Sequence, residues 1–585
     1  MLIKTLFIVT SLLLPIFTMS DHLHWKKLTD QINNEDKTMF TVVLKLSNKD
    51  QMYEEMQEIT NPNSPRYADY LTKTEVDHIV RPNHDVTGLM SFLGKQYCED
   101  LVLAIKCNMP IGRASELFGT KFTKYSKGNH IRYIGDKYTI PAFFHDDVHF
   151  ILGLIDFPET DTIIPKISND IHHHNYKYIS RESLFSMYNI TDEQQNESST
   201  QAVIEYLNDA CFNMDDYNLF QKQNGMTVNS NITFYGNACD TGTLGPDLEA
   251  ALDIQFQCAT GNCDAQQYVN SDGWLYSAFI LMYRLTNPPL VTSSSYGWWE
   301  GDQQDIQSLP SEEYVDLCNF MLLLLGIRGV SNTVSSGDAG PFGRTNEGCS
   351  LVPHLRPDFP GSSPYVISVG GTKFYNATSG GNTPFCQKHQ CVMKSKETDV
   401  TFKNSQWCSG GGIANFSVRQ YWSLDQNNHY LRNITADYLP DPSEYNPFGR
   451  QYPDVTMDAD HYAVAYTGKF TSVDGTSCSS PAFSGLIARL NSVRMNNGCP
   501  PLGLFNPLLY QMSVECPECF VSKRKGCIDS TEAMTCSPDV KGYCSTEGYN
   551  VVYGLGLPNY GYMSAYIKQN CLDMKQKKQF KNFFA

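Results

Sequence analysis

The sequence predicts an α/β protein in which a parallel sheet is flanked by helices and preceded by a smaller α+β domain. From about residue 175, apolar strand-like runs alternate with longer helical runs, which is typical of a parallel sheet covered on both faces. Before that point, short strand-like and helical runs are mixed. The chain has 585 residues, enough for two or three domains with a sizeable core.

The first twenty residues predict a secretory signal peptide. Lys4 precedes the apolar run LFIVTSLLLPIF, and small residues follow the run at Thr18 and Ser20. The run is well short of the roughly 20 residues that span a bilayer, so we expect no membrane partner. Six Asn-x-Ser/Thr sequons fit a secreted chain; they lie at positions 189, 196, 231, 376, 415 and 433.

The composition, the charge balance and the cysteine count argue against a nucleic-acid-binding or disordered protein and for a folded protein with disulfides. With 62 acidic and 45 basic residues, the formal net charge is −17, which argues against nucleic acid as a partner. Hydrophobic residues make up 41% and charged residues 18%, which excludes a disordered chain. In the secretory pathway the 19 cysteines are disulfide candidates, and their odd number leaves at least one unpaired.

Residues 21–174 predict the α+β domain, and the polar stretch SNDIHHHNYK at 168–177 is the candidate linker. Strand-like runs lie at 40–46, 101–105 and 148–155, and helical runs at 53–59 and 86–93. In the later domain, strands are predicted at 202–207, 290–295, 330–334 and 364–372, and a helix at 312–327. Functional groups collect at the carboxyl ends of such parallel strands.

Ser477 is the candidate nucleophile. It lies in the segment GTSCSSP (475–481), just before a run with the apolar spacing of an amphipathic helix, and Pro481 fits a first helical turn. A serine there lies in the positive field of a helix N-terminus, beside free N–H groups, which suits the formation of an oxyanion. The alternative is an ordinary N-cap serine.

Carboxylates are the candidate bases, because no histidine of the later domain lies in a glycine-rich strand end. Glu249 and Asp253 are four residues apart, on one face of a predicted helix. In a partly buried site such a pair shares a proton and one of the two pKa values rises. The alternative is a solvated acidic helix face.

Asp338 follows the predicted strand 330–334 and lies between two glycines. A protonated carboxyl group at a strand end can donate a hydrogen bond to an oxyanion. The alternative is an Asx turn. The glycine-rich stretches 409–412 (SGGG) and 293–297 (SSSYG) either offer backbone to an extended peptide or form tight turns.

Together and in this order, E-x-x-x-D, SGD, SGGG and GTSxxxP resemble the sedolisin (serine-carboxyl peptidase) family. The resemblance covers nearly the whole chain, and NPNSPRYADYLT at 61–72 resembles the family's propeptide. It implies a subtilisin-like fold, an inhibitory or chaperone propeptide at 21–174, a catalytic domain at 175–567 and a basic tail at 568–585.

The resemblance also implies the roles and the activity. Ser477 would be the nucleophile, Glu249 the general base, Asp253 its partner and Asp338 the oxyanion acid. The enzyme would be an acid-active, self-processing peptidase that releases tripeptides from free N-termini, in the lysosome or an equivalent acidic compartment, or secreted. Its partners would be peptide substrates and its own propeptide. The alternatives are an endopeptidase with the same machinery and a catalytically impaired secreted scaffold.

The resemblance implies disulfides Cys98–Cys107, Cys349–Cys536 and Cys527–Cys544, with Cys478 as a free thiol. It also implies a calcium site near the C-terminus, built from two aspartates and backbone carbonyls. Asn550 stands at the second aspartate position, and the first position falls near Ser522 or Lys523. Gly548 and Asn550 still offer oxygens, but both carboxylate charges are missing. The sequence leaves calcium binding open.

Overall fold

The computed structural model describes residues 25–81, 86–127, 130–156, 166–167, 177–192, 194–206, 211–237, 245–303, 309–343, 355–405, 407–522, 525–528 and 541–584. The predicted signal peptide, nearly all of the linker at 168–177, and the cysteines 349 and 536 lie outside these residues. Among the described residues, we find no helix with the length and apolar character needed to cross a bilayer.

The N-terminal domain is α+β, as predicted, with two antiparallel sheets. One sheet has the strand order Cys98–Asp100, Ala104–Pro110, Lys37–Leu44 and Val148–Leu152, and the other has the order Lys26–Lys27, Phe122–Lys127 and His130–Gly135. The helices are Lys49–Thr60, Lys73–Val80, Thr87–Leu93 and Ile111–Phe118. The second and fourth helices and the second sheet are additions to the sequence prediction.

The second domain is built on a nine-stranded sheet. Its strand order is Thr233–Gly236, Gln266–Asn270, Gln201–Glu205, Val291–Ser294, Ser331–Ser335, Ile367–Gly380, Gln390–Asp399 and Lys177–Tyr178, and Val455–Asp458 also pairs with Ile367–Gly380. All pairs are parallel except that of Ile367–Gly380 with Gln390–Asp399. The predicted parallel sheet is therefore confirmed.

Shorter strands and the helices complete this domain. The further strand pairs are Trp298–Trp299 with Asp358–Phe359, Gly412–Val418 with Gly449–Tyr452, Tyr462–Tyr466 with Lys469–Asp474, Phe520–Val521 with Leu557–Pro558, and Cys527–Ile528 with Tyr543–Cys544. The helices are Arg181–Met187, Met214–Gln223, Leu248–Thr260, Leu275–Arg284, Ser311–Gly326, Pro384–Lys388, Phe402–Ser405, Leu424–Asn433, Thr476–Asn496, Asn506–Glu515 and Tyr560–Phe584.

Helices cover both faces of the central sheet. In the strand Gln201–Glu205, Val203 packs in one core cluster, whereas Ala202 and Ile204 pack in another. Successive strand residues point to opposite faces, so the two clusters lie on opposite sides of the sheet. The second cluster also contains Val43 of the N-terminal domain, which therefore packs on this face of the second domain.

The helix that carries Ser477 differs from its prediction. Helix Thr476–Asn496, here called the Ser477 helix, begins one residue before the serine, and every residue from 476 to 494 is buried. The helix is therefore central and not amphipathic. Pro481 lies inside the helix and not in its first turn, so the Ser477 carbonyl receives no helical N–H bond from it.

The described cysteines agree with the predictions that they test. Disulfides join Cys98 to Cys107 and Cys527 to Cys544, and Cys478 is a buried free thiol. Further described pairs are Cys258–Cys263, Cys386–Cys391, Cys499–Cys571 and Cys516–Cys519. The pair Cys499–Cys571 ties down the C-terminal helix, which runs through residue 567 without a break.

Candidate active site

Ser477 lies in the first turn of its helix, where the chain bends sharply. Gly475 is the N-cap and has a φ of 135°, a conformation that side chains rarely adopt. A Cβ at this position would also lie 2.9 Å from Asp338 Oδ2, so glycine is required by both conformation and space. The Ser477 hydroxyl is buried and forms no hydrogen bond within the described part of the chain.

Asp338 is held against this bend by the residue before the serine. Its Oδ1 accepts hydrogen bonds from the Thr476 backbone N–H and hydroxyl, both at 2.8 Å. These partners lie far along the chain, so the contact is tertiary, unlike that of an Asx turn. Oδ1 accepts both of these hydrogen bonds, and the other oxygen, Oδ2, is the one that lies nearer to the Gly475 bend.

Glu249 and Asp253 lie on one buried helix. Helix Leu248–Thr260, here called the Glu249 helix, is capped by the Asp247 side chain, which accepts from the Ala250 N–H at 3.0 Å. The exposed fractions of Glu249 and Asp253 are 2% and 0%, which excludes the solvated acidic face. Asp253 Oδ1 accepts a hydrogen bond from Ser295 Oγ at 2.9 Å.

The Glu249 helix packs directly against the Ser477 helix. Thr260 Oγ1 donates to the Ala482 carbonyl at 2.8 Å, and Gln257 Nε2 donates to Ser484 Oγ at 2.6 Å. The pKa of the Cys478 thiol, next to the serine, depends on the charged groups that lie around it. Burial raises this pKa well above the usual range, and four nearby acids raise it further, in the order Asp474, Glu249, Asp338 and Asp458. The structure thus places Asp338 at the start of the Ser477 helix and packs the helix that carries Glu249 and Asp253 against the Ser477 helix.

Glu205 is a fourth buried carboxyl group, beside Glu249, Asp253 and Asp338, and it is not among the residues predicted from the sequence. It ends the strand Gln201–Glu205, is fully buried, and accepts a hydrogen bond from the Tyr296 hydroxyl at 2.7 Å. Burial raises its pKa well above the usual range, and Asp253 and Glu249 raise it further. A carboxyl group at the carboxyl end of a parallel strand is the signal that identified Asp338, and it applies equally here.

A second group of acids includes Asp474, which lies two residues before the Ser477 helix. It comprises Glu397, Asp458, Asp460 and Asp474, together with His461, and is here called the acidic cluster. Side-chain atoms of Asp460, His461 and Asp474 lie within 4.8 Å of one another. Burial and the neighbouring Asp460 raise the pKa of Asp474 to about 6, although His461 and Lys373 oppose the shift.

The two glycine-rich stretches are largely engaged inside the fold. The Gly410 N–H donates to the Gly337 carbonyl at 2.7 Å, and the Gly410 carbonyl accepts from Ser336 Oγ at 2.8 Å. Ser293 pairs within the central sheet and lies at a hydrogen-bonding distance of 3.1 Å from Ser480. Gly410 therefore positions the segment that carries Asp338 and has no free backbone for a peptide.

The residues of the expected calcium site do not fit a cation. Asn550 is fully buried, and its Nδ2 donates to the backbone carbonyls of Thr546 and Gly548, both at 3.1 Å. Oxygen atoms that would bind Ca²⁺ are thus hydrogen-bonded to an amide group. Ser522 is exposed, and Lys523 lies outside the described residues.

The N-terminal domain makes polar and apolar contacts with the second domain. The Tyr283 hydroxyl donates to Asp77 Oδ1 at 2.6 Å, and the Leu71 N–H donates to the Ile327 carbonyl at 3.0 Å. The strand Lys166–Ile167 pairs antiparallel with Val473–Asp474, which leads into the Ser477 helix. The domain that precedes the linker therefore contacts the segment that carries the candidate nucleophile.

Comparison with known proteins gives three consistent results. Residues 24–157 match a model of the pro-kumamolisin activation domain. Physarolisin of Physarum polycephalum is 29% identical over 89% of this chain and 92% of that protein. Human tripeptidyl-peptidase 1 is 28% identical over 90% of this chain and 91% of that protein.

Among solved structures, a Pseudomonas sedolisin, described as a serine-carboxyl proteinase complexed with two molecules of pseudo-iodotyrostatin, shares the fold. The TM-score is 0.51 at 20% identity, and the match covers 68% of this chain and 99% of that one.

Proposed function

Because this chain belongs to the sedolisin family of serine-carboxyl peptidases, we propose that it is an acid-active enzyme that cleaves tripeptides from free N-termini. It is a serine peptidase with an N-terminal activation domain.

The observation that carries the proposal is the position of Asp338 beside Ser477. Thr476 occupies Oδ1 of this carboxyl group with two hydrogen bonds, which leaves Oδ2 at the bend before the serine. A proton on Oδ2 can be donated to an oxyanion that forms next to Ser477. One such donor contributes on the order of 10²–10³ in rate.

The buried acids supply the proton transfers. Glu249 takes the hydroxyl proton of Ser477 as Oγ attacks the peptide carbonyl carbon, and Asp253 holds Glu249 in place through a shared proton. Glu249 then returns the proton to the departing amine, and an ester on Ser477 remains. Water hydrolyses the ester, with Glu249 accepting the water proton and returning it to Ser477. A carboxylate base works best when the operating pH is acidic.

The release of tripeptides is supported by the similarity to tripeptidyl-peptidase 1 over 90% of this chain. Endopeptidase cleavage with the same residues is the competing function. An acidic compartment of the secretory pathway, such as the lysosome, is the location that suits a carboxylate base. The propeptide then blocks the enzyme until acid processing.

A peptide panel separates the two functions. Each peptide is offered with a free and with an acetylated N-terminus at about pH 4.5, where a carboxylate base operates. We expect tripeptide products from the free peptides and at least tenfold slower cleavage of the acetylated ones, because an exopeptidase must bind the terminal amine. Equal cleavage of both sets would establish the endopeptidase. An Ser477→Ala enzyme is the control for contaminating peptidases.

A further inference from the structure

Asn550 is the centre of a buried loop near the C-terminus, here called the Asn550 loop (residues 545–556). Its backbone pairs with Gly554 in both directions, at 3.2 and 2.8 Å. Its side-chain Oδ1 accepts from the N–H groups of Val552 and Tyr553, at 3.1 and 3.0 Å. Its Nδ2 donates to the carbonyls of Thr546 and Gly548. One side chain therefore connects both halves of the loop.

The chemistry of this side chain decides what the loop can bind. Two carbonyl oxygens converge on one point, and a convergence of oxygens needs either N–H donors or a cation. An amide supplies donors on one side and an acceptor on the other, as the loop requires. An aspartate of the same shape supplies only acceptors, and its oxygen would repel both carbonyls unless a cation lay between them.

We infer that the Asn550 amide replaces a structural cation, so that this chain keeps its fold and its activity without calcium. The amide makes within the chain the contacts that a metal ion makes between separate ligands. Without a cation to bind, the loop needs no carboxylate near Ser522 or at position 550. The absence of both carboxylates therefore accompanies the replacement of the cation by the amide and does not indicate a damaged loop.

The shape of the Asn550 loop matters for the candidate active site. The Val551 carbonyl lies 2.2 Å from where a Cβ of Gly411 would be, so the loop packs directly on the SGGG segment. The neighbouring Gly410 bonds to Gly337, the residue before Asp338. The Leu555 N–H also donates to the Asp454 carbonyl at 2.7 Å, which anchors the loop beside the central sheet. A displaced loop would therefore displace the oxyanion acid.

Thermal unfolding of the full chain with and without a chelator tests the inference. We expect the same Tm, within about 1 °C, in EDTA and in millimolar Ca²⁺, and the same peptidase activity after EDTA treatment. A wild-type Tm that falls in EDTA and recovers with added Ca²⁺ would overturn the inference. This measurement uses the unmodified protein, so it is decisive even where a variant fails to fold.

The variant Asn550→Asp tests the role of the amide. It keeps the oxygen that Val552 and Tyr553 bind and removes only the two donors to carbonyl oxygens. We expect its Tm to fall by roughly 5 °C or more in EDTA and to rise with added Ca²⁺. Asn506→Asp is the matched control, because Asn506 is equally buried and its amide donates to one carbonyl, that of Val366, at 2.8 Å.

The control variant should lose stability without any response to Ca²⁺. An Asn550→Asp protein that melts like the wild type in EDTA would contradict the inference, since the amide donors would then contribute nothing. A Ca²⁺ response of equal size in both variants would also contradict it, because the rescue would not come from the Asn550 loop.

Discussion

Glu205 is the residue whose protonation state can be tested most simply. Its raised pKa means that the carboxyl group is protonated in acid, so glutamine is a close substitute that still accepts from Tyr296. We expect Glu205→Gln to change kcat/KM at about pH 4.5 by less than threefold. Glu205→Ala leaves the buried Tyr296 hydroxyl without this acceptor, at a cost of about 1–3 kcal/mol. An equal loss in both variants would contradict a protonated Glu205.

The reactivity of Cys478 tests whether the nucleophile is the serine or the neighbouring cysteine. Its thiol is fully buried and its pKa is raised, so hardly any reactive thiolate is present at neutral pH. We expect iodoacetamide to leave the activity of the native enzyme unchanged, and Cys478→Ala to retain kcat within about threefold. Mass spectrometry of the native and the denatured protein checks the labelling. Inactivation that parallels labelling of Cys478 would contradict the assignment of Ser477 as nucleophile.

At the scale of elements, the acidic cluster predicts how stability depends on pH. The pKa of Asp474 rises from 3.8 to about 6 on folding, so the folded state binds its proton more tightly. This group therefore favours folding fully below about pH 4, and the benefit is lost as the pH rises towards 6.

We therefore expect the Tm to fall between about pH 4 and pH 7 and the fall to be smaller in Asp474→Asn, which cannot ionise. The exposed Asp437→Asn is the control and should follow the wild-type curve. The measurement is calorimetry across this pH range. A wild-type Tm that rises steadily to pH 7, or an unchanged slope in Asp474→Asn, would contradict the role of the cluster.

Sequence patterns predict four of the nine strands of the central sheet, which are Gln201–Glu205, Val291–Ser294, Ser331–Ser335 and Ile367–Gly380. The helix predicted at 312–327 spans Ser311–Gly326. Its long apolar run favours a buried helix, and Pro310 marks where the helix begins. The apolar spacing predicts an amphipathic Ser477 helix, but the helix is buried on all sides from residue 476 to residue 494. Its buried polar residues, such as Ser480 and Ser484, are satisfied by partners from distant parts of the chain. Such pairings have no local signature.

In the candidate site too, residues that belong to a local sequence pattern are easier to predict than residues whose contacts form only when the chain folds. The spacing of Glu249 and Asp253 predicts that both lie on one helix face, but only the family resemblance implies that they belong to the active site. The sequence does not single out Glu205, because the predicted strand at 202–207 extends two residues beyond the observed end of the strand at Glu205 and so places this residue inside the strand. Asn550 was predicted only as a weakened ligand, because the two carbonyls that its amide binds become visible only when the loop is folded.

At the scale of the whole molecule, the packing of the propeptide on the catalytic domain can be disturbed at one glycine. Gly503 has a φ of 61°, and a Cβ there would lie 2.4 Å from the Tyr70 hydroxyl oxygen of the N-terminal domain. We expect Gly503→Ala to weaken the contact and to speed maturation in acid severalfold. Gel electrophoresis over time after acidification measures this rate.

Gly468→Ala is the matched control for this variant. Gly468 has a similar φ of 78°, but a Cβ there meets nothing within 4 Å. The control therefore carries the backbone strain without the clash. Equal maturation rates in the two variants would show that the contact between Tyr70 and Gly503 does not restrain the propeptide.

The central claim is that Ser477 performs the chemistry and that the zymogen processes itself. Its most direct test compares the purified full chain with its Ser477→Ala variant after both are brought from neutral pH to about pH 4.5. Intact-mass spectrometry follows the loss of the prosegment. We predict that the wild type is shortened and gains peptidase activity, whereas Ser477→Ala stays full-length. Equal shortening of both proteins would contradict the account, because the cleavage would then not depend on Ser477.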